Sequence, residues 1–234
     1  MLVLNHTLFF TLLNTVDEPG QGGVLFKNDF VVFDEAHTME QVASRHIGLS
    51  LSSGQVSFAI NKLWNPRTQK GLLSQLKKGK MVQQVSEAHE ASNEFFEKVE
   101  QACESIHQNQ GVNGNDGRPS SWKSRVGWKE LRIRRPDLVE DSLSLTLKRL
   151  RSSLSELIQD SEDREMAQEL QDCLRRVGDL QETLTLFLTQ EYHPYVYWLE
   201  RSGSHGQSLG LHAAPVVVAP FLRNRIFESG SSMV

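Results

Sequence analysis

Phe30-Val31-Val32-Phe33-Asp34-Glu35-Ala36-His37 sets four consecutive apolar residues, two of them β-branched, directly before two neighbouring acids. An apolar run with no polar interruption predicts a strand buried on both faces, as in a parallel sheet covered by helices. Asp34 and Glu35 then sit at that strand's carboxyl end. A local reading competes with this one: the acids cap and charge the first turn of the next helix, whose N-terminal dipole favours negative charge.

Upstream, residues 1–14 read as a short strand followed by a helix that turns Leu8, Phe9, Leu12 and Leu13 towards a core. Asn5-His6 stands where Asn5 can cap that helix. The segment Asp17–Gly23 is a loop by its Pro and Gly content.

From about Ser52 to Gln190 the pattern changes to long amphipathic helices. Val82, Val85, Ala88, Ala91, Phe95, Val99, Cys103 and Ile106 recur at three- and four-residue steps and predict one long helix over 80–107. A polar stretch, Gln108–Ser121, breaks it. Leu143, Leu147, Leu150, Leu154 and Leu157 predict a second helix, and Met166, Leu170, Cys173, Val177, Leu180, Leu184 and Phe187 a third. Narrow stripes of this kind suit an antiparallel helical bundle. The tail returns to strand character: Tyr195–Glu200 and Ser208–Ala214 predict a hairpin, and a short helix with Leu222, Ile226 and Phe227 follows Pro220.

The 234 residues and 38% hydrophobic content suffice for at least one packed core. A net charge of −4 means that any nucleic-acid contact depends on local basic patches. Two cysteines, Cys103 and Cys173, each on a helical stripe, indicate neither a disulfide framework nor a cysteine metal site, and fit a reducing, cytoplasmic setting. His193 and His212 lack acids or cysteines at metal-ligand spacing and read as structural. The opening residues lack a positively charged leader and are too short to span a bilayer, so no membrane association is expected.

Adjacent acids at the end of a buried strand are what nucleoside triphosphate motors need beside their metal. Asp34 would orient a magnesium ion through its waters, Glu35 would act as general base on the attacking water, and His37 would couple the nucleotide state to neighbouring elements. At this point the chain resembles a family. Val3-Leu4-Asn5-His6-Thr7-Leu8-Phe9-Phe10 resembles the segment preceding motif II of DinG/XPD-like superfamily 2 DNA helicases, and Val31–Glu40, with its Asp-Glu-Ala-His box, resembles their motif II. Tyr197-Trp198-Leu199-Glu200, Ala214–Val218 and Leu222–Phe227 are similar to the return from the family's arch insertion towards motif III. The helical middle matches only in length and character.

The resemblance implies an α+β, mainly helical fold: a partial P-loop-type α/β motor base carrying an inserted antiparallel helical arch. Residues 1–51 and 191–234 are expected to form the base, and 52–190 the arch. It implies a parent enzyme in DNA repair or replication that uses ATP and Mg2+ and translocates 5′ to 3′ on single-stranded DNA. No GxxxxGK[ST] loop occurs, so the phosphate cradle and the second motor domain would be partners supplied from outside this segment, and the chain alone is expected to be inactive. Iron-sulfur ligands, where the family has them, would lie upstream, and none is expected here.

Lys77, Lys78, Lys80, Trp122, Lys123, Arg125, Lys129 and Arg132 form the candidate DNA contacts, because basic residues interleaved with aromatics can follow phosphates and stack on unpaired bases. The competing reading makes the lysines a solvated helix end, and Trp122 and Trp128 core anchors. The other function class is a non-catalytic helical interaction module on a small α/β base, its acids purely structural.

Overall fold

Helical periodicity carries most of the chain into helices in the computed structural model, which describes residues 2–15, 31–76, 79–112, 128–192, 194–203 and 208–227. In order these are α1 (His6–Thr15), a 3-10 turn (Ala36–Thr38), α2 (Met39–Ile47), β1 (Leu49–Ser52), α3 (Ser53–Leu63), α4 (Leu73–Leu76), α5 (Gly79–Val112), β2 (Glu130–Ile133), α6 (Leu143–Gln159), α7 (Arg164–Thr189), β3 (Tyr195–Ser202), β4 (Ser208–Pro215) and α8 (Ala219–Leu222), the last running into a π turn (Arg223–Phe227). The fold is α+β and mainly helical. The chain divides into two compact units: Met1–Leu49 with His193–Val196 and Ala213–Val234, and Ser50–Tyr192 with Tyr197–His212.

The second unit is built on the helical stripes. All five leucines of α6 that the periodicity marks are buried, as are Met166, Leu170, Cys173, Val177, Leu180, Leu184 and Phe187 of α7. Helix α5, 34 residues and so about 50 Å long, buries Val85, Ala88, Phe95, Val99 and Cys103. Helix α6 packs against both α5 and α7, and α3 against α5 and α7.

Local chemistry sets the helix ends. Ser52 and Gln55 form a reciprocal capping box at the start of α3. Asp163 accepts the Glu165 and Met166 amides at the start of α7, and left-handed Gln190 stops it, its side chain donating to the Arg135 carbonyl at 2.9 Å. Gly71, at φ +145°, closes the turn after α3, where a Cβ would collide with the Leu63 carbonyl and Trp64 Cα.

The strands form one antiparallel four-stranded sheet in the order β1-β4-β3-β2. Strand β2 pairs with β3 so that Leu131 faces Leu199 and Arg132 faces Trp198. Alternation gives the sheet an inner set, Leu51, Leu131, Ile133, Tyr197, Leu199, Leu209 and Leu211, all buried. Arg201 straps one corner: its guanidinium lies 4.3 Å over the ring of buried Trp128 and bonds Glu100 and Glu104 of α5 at 2.6 and 3.0 Å. Trp128 is thus a core anchor.

The first unit has its own core of Phe9, Phe10, Leu13, Ala43, Val218, Leu222 and Ile226. Here the structure departs from the expected buried parallel strand. Val31 makes a single bridge, Val32 is 71% exposed and Phe33 half-buried. Without a ladder on either side among the described residues, an apolar run has nothing to bury both of its faces. Phe30 lies outside the described residues. The opening residues Leu2–Asn5 likewise form no strand, and Leu8 points outward at 44% exposure.

Two outcomes follow from the second unit's core. Leu154→Ala removes a fully buried side chain from the α6 stripe and should cost about 2–5 kcal/mol, read as a lower urea midpoint. Burial pushes the Cys103 thiol up to about 12 and raises that of Cys173. Both should therefore react with Ellman's reagent at pH 8 far more slowly in the folded chain than in urea. Because the folded value exceeds the unfolded one, the stability Cys103 contributes is complete below the ordinary thiol range and is lost as pH rises towards 12.

Candidate functional site

The acid pair is positioned from the first turn of α1. Asn5 Oδ1 accepts the Leu8 amide at 2.7 Å and its carbonyl accepts the Phe9 amide at 3.0 Å, so Asn5 caps the helix as its side-chain chemistry predicts. His6 follows it, half-buried, with its ring 6.0 Å from that of Phe33. Phe33 meets Phe9 edge to face at 5.2 Å. The chain leaves the core at Phe33, and the next residue is Asp34.

Asp34 and Glu35 form a turn, and Glu35 is left-handed at φ 51° and ψ 43°. That conformation is uncommon for a residue with a Cβ and costs roughly 1–2 kcal/mol. Glu35 is held there by Thr38, whose amide and hydroxyl both donate to the Glu35 carbonyl at 3.0 Å. The Glu35 amide donates to Asp34 Oδ1 at 3.0 Å, which ties the first carboxylate to the turn backbone. Glu35 Oε2 lies 3.1 Å from His37 Nδ1, with the side chains 71% and 74% exposed. A contact so exposed adds little stability; its effect is to orient. Finally, His6 Nδ1 stands 3.0 Å from Thr38 Oγ1.

Asp34, Glu35 and His37 are therefore brought together on one exposed turn. The two carboxylates offer hard oxygen donors suited to magnesium, which keeps several of its waters and needs few protein ligands. Among the described residues no group of three or more His, Cys, Asp or Glu side chains is placed to hold a metal directly. No GxxxxGK[ST] phosphate loop occurs in this 234-residue sequence.

The candidate DNA contacts divide. Lys77, Lys78, Trp122, Lys123 and Arg125 lie outside the described residues. Lys80 is exposed in the first turn of α5, while Lys129 is exposed just before β2 and Arg132 within it, across from Trp198. Sequence reasoning missed two features. One is the His6–Thr38 link, which joins positions 32 residues apart with no local signal. The other is His212, stacked on Trp198 at 5.4 Å and 3.9 Å from Glu200. Burial lowers the His212 pKa, against the opposing charges of Glu200 and Glu130. Among the described residues no helix is long and apolar enough to cross a membrane.

No protein-family profile matches the chain. It is 27% identical over 219 residues to the protein named ATP-dependent DNA helicase YoaA of Haemophilus influenzae, an alignment covering 94% of this chain and 29% of that protein. Over 56 residues it is 41% identical to the protein of the same name from Escherichia coli strain K12, 24% of this chain and 9% of that protein. The chain spans less than a third of the length of these relatives. It is a low-identity homologue of a segment of proteins named as DNA helicases.

Proposed function

We propose that the chain is part of an ATP-dependent DNA helicase of the DinG/XPD-like kind, in which the turn Asp34–Thr38 is the motif II of the first motor domain. The observation that carries this reading is the alignment of 94% of the chain with a protein named as an ATP-dependent DNA helicase. The site geometry supports it: two adjacent carboxylates on an exposed turn, one tied to the backbone and the other steered by His37. Asp34 would hold the magnesium ion that accompanies ATP, which when bound would supply charge neutralisation at the transferred phosphoryl group. Glu35 accepts a proton from the attacking water, and His37 orients the Glu35 carboxylate. The segment 52–190 is the arch insertion, and residues 1–51 and 191–234 belong to the motor base.

On this reading the parent translocates 5′ to 3′ on single-stranded DNA in repair or replication in the cytoplasm, and the arch guides the strand. Lys80, Lys129 and Arg132 are exposed and able to follow phosphates; by residue type, Lys77, Lys78, Lys123 and Arg125 join them in the proposed DNA path, with Trp122 as a base-stacking ring.

Three measurements test it. In the full-length protein, Glu35→Gln should lower DNA-stimulated ATP turnover by about 10²-fold or more, since a general base contributes on that order; turnover within twofold of the parent's refutes the assignment. The 234-residue chain alone should show no ATP turnover, and DNA-stimulated hydrolysis by it would contradict the view that the phosphate cradle comes from elsewhere. Replacing Lys129 and Arg132 with alanine should weaken binding to an unstructured oligonucleotide and flatten its log–log salt dependence by about 0.7 for each phosphate that is no longer neutralised. An unchanged slope removes these two residues from the DNA path.

A further inference from the structure

We infer that His6 is a positioning residue for the acid turn: by gripping the Thr38 hydroxyl it holds the left-handed backbone from which Glu35 acts. The inference rests on the reading of Glu35 as the general base, and adds a residue to that site.

Proton bookkeeping at Thr38 sets the direction of the link. A hydroxyl has one proton to donate. With the Thr38 proton assigned to the Glu35 carbonyl at 3.0 Å, the 3.0 Å contact with His6 is made by the Nδ1–H tautomer donating to Thr38 Oγ1. The chain His6 Nδ1–H to Thr38 Oγ1–H to Glu35 carbonyl is continuous, each bond polarising the next in the same sense. It ends on the peptide group that follows the left-handed residue. The Glu35 conformation persists only where its surroundings over-determine it, and the Thr38 amide and the Thr38 hydroxyl, itself held by His6, are those surroundings.

The anchoring end is also placed for this role. His6 lies in the first turn of α1, whose Phe9, Phe10 and Leu13 are in the core. The Phe33 ring, 6.0 Å from that of His6, immediately precedes Asp34. A helix fixed by its core is thus tied to both edges of a turn whose own side chains are exposed. His6 itself is only half-buried and contributes no core packing comparable to Phe9. Its donor is the property that the geometry uses.

The test is made in the full-length protein, with steady-state ATP turnover on single-stranded DNA. Thr38→Val and His6→Ala should each lower kcat by about tenfold or more, with KM for ATP within about twofold, because a misplaced reacting group costs turnover rather than ground-state binding. The double variant should lose little beyond either single one, as expected for residues in one chain of bonds. His6→Asn, whose side-chain amide places a donor near the Nδ1 position, should recover most of the loss, whereas His6→Gln, which places it near Nε2, should not. Should His6→Ala fail to fold, the Asn and Gln pair alone decides. Glu35→Gln serves as the reference. If it abolishes turnover while His6→Ala and His6→Gln leave kcat within twofold, the positioning role is overturned and the site reading stands. If Glu35→Gln itself leaves kcat unchanged, the site reading falls, and the role of His6 with it.

Discussion

Each of the long helices has one apolar stripe, and burying those stripes is the constraint on which the larger unit depends. Helix α6 shows it most plainly: five leucines at three- and four-residue spacing are all buried, while the residues between them reach solvent. A helix with one narrow stripe cannot be stable alone in water and must find others. Helices α5 and α7 supply them, and the residues 160–163 that link α6 to α7 leave room for little except a tight reversal. The inner face of the antiparallel sheet adds a further apolar layer, so the sheet belongs energetically with the helices it packs beside.

The smaller unit solves a different problem with fewer residues. Its core joins aliphatic side chains to a set of rings, with Phe9 meeting both Phe10 and Phe33 edge to face at 5.2 Å, an arrangement that gains from ring quadrupoles as well as from burial. Rings packed this way fix the direction in which the chain departs, and Phe33 is the last packed residue before the acids. The exposed turn inherits its position from that packing and its shape from three hydrogen bonds onto the backbone of residues 34–38.

Sequence made the helical part legible because period and packing agree there. The stripes of α5, α6 and α7 run at the helical repeat over three turns or more, and no residue pair across the fold had to be known. The β3–β4 hairpin and the Asn5 cap were legible for the same reason, since each is decided by a few neighbouring residues. What sequence missed depends on distant partners. Strand β1 is a four-residue segment in front of a capping box, and β2 sits in a basic, aromatic stretch; each becomes a strand through the neighbours it meets in the sheet. Phe30–Phe33 failed in the opposite way. Its apolar run satisfies the rule for a buried strand, yet the rule presumes flanking strands, and among the described residues Val32 has none and is exposed. Asp34 and Glu35 were picked out by their adjacency behind an apolar run and by the Asp-Glu-Ala-His pattern, whereas the left-handed turn between them was invisible, because nothing in a glutamate signals a positive φ.

That turn bears on how two neighbouring carboxylates can do unlike work. In a regular strand, successive side chains point to opposite faces, so adjacent acids could not serve one reaction centre. In a helix they would diverge by about 100°. A left-handed residue between an extended run and a 3-10 turn breaks both patterns. It lets Asp34 fold back to accept the Glu35 amide while the Glu35 carboxylate reaches forward to His37. One acid is thereby tied to the backbone, and the other is oriented by a single exposed side chain, His37. On the proposed reading, the left-handed residue at Glu35 is what lets one acid serve as metal-water holder and its neighbour as base.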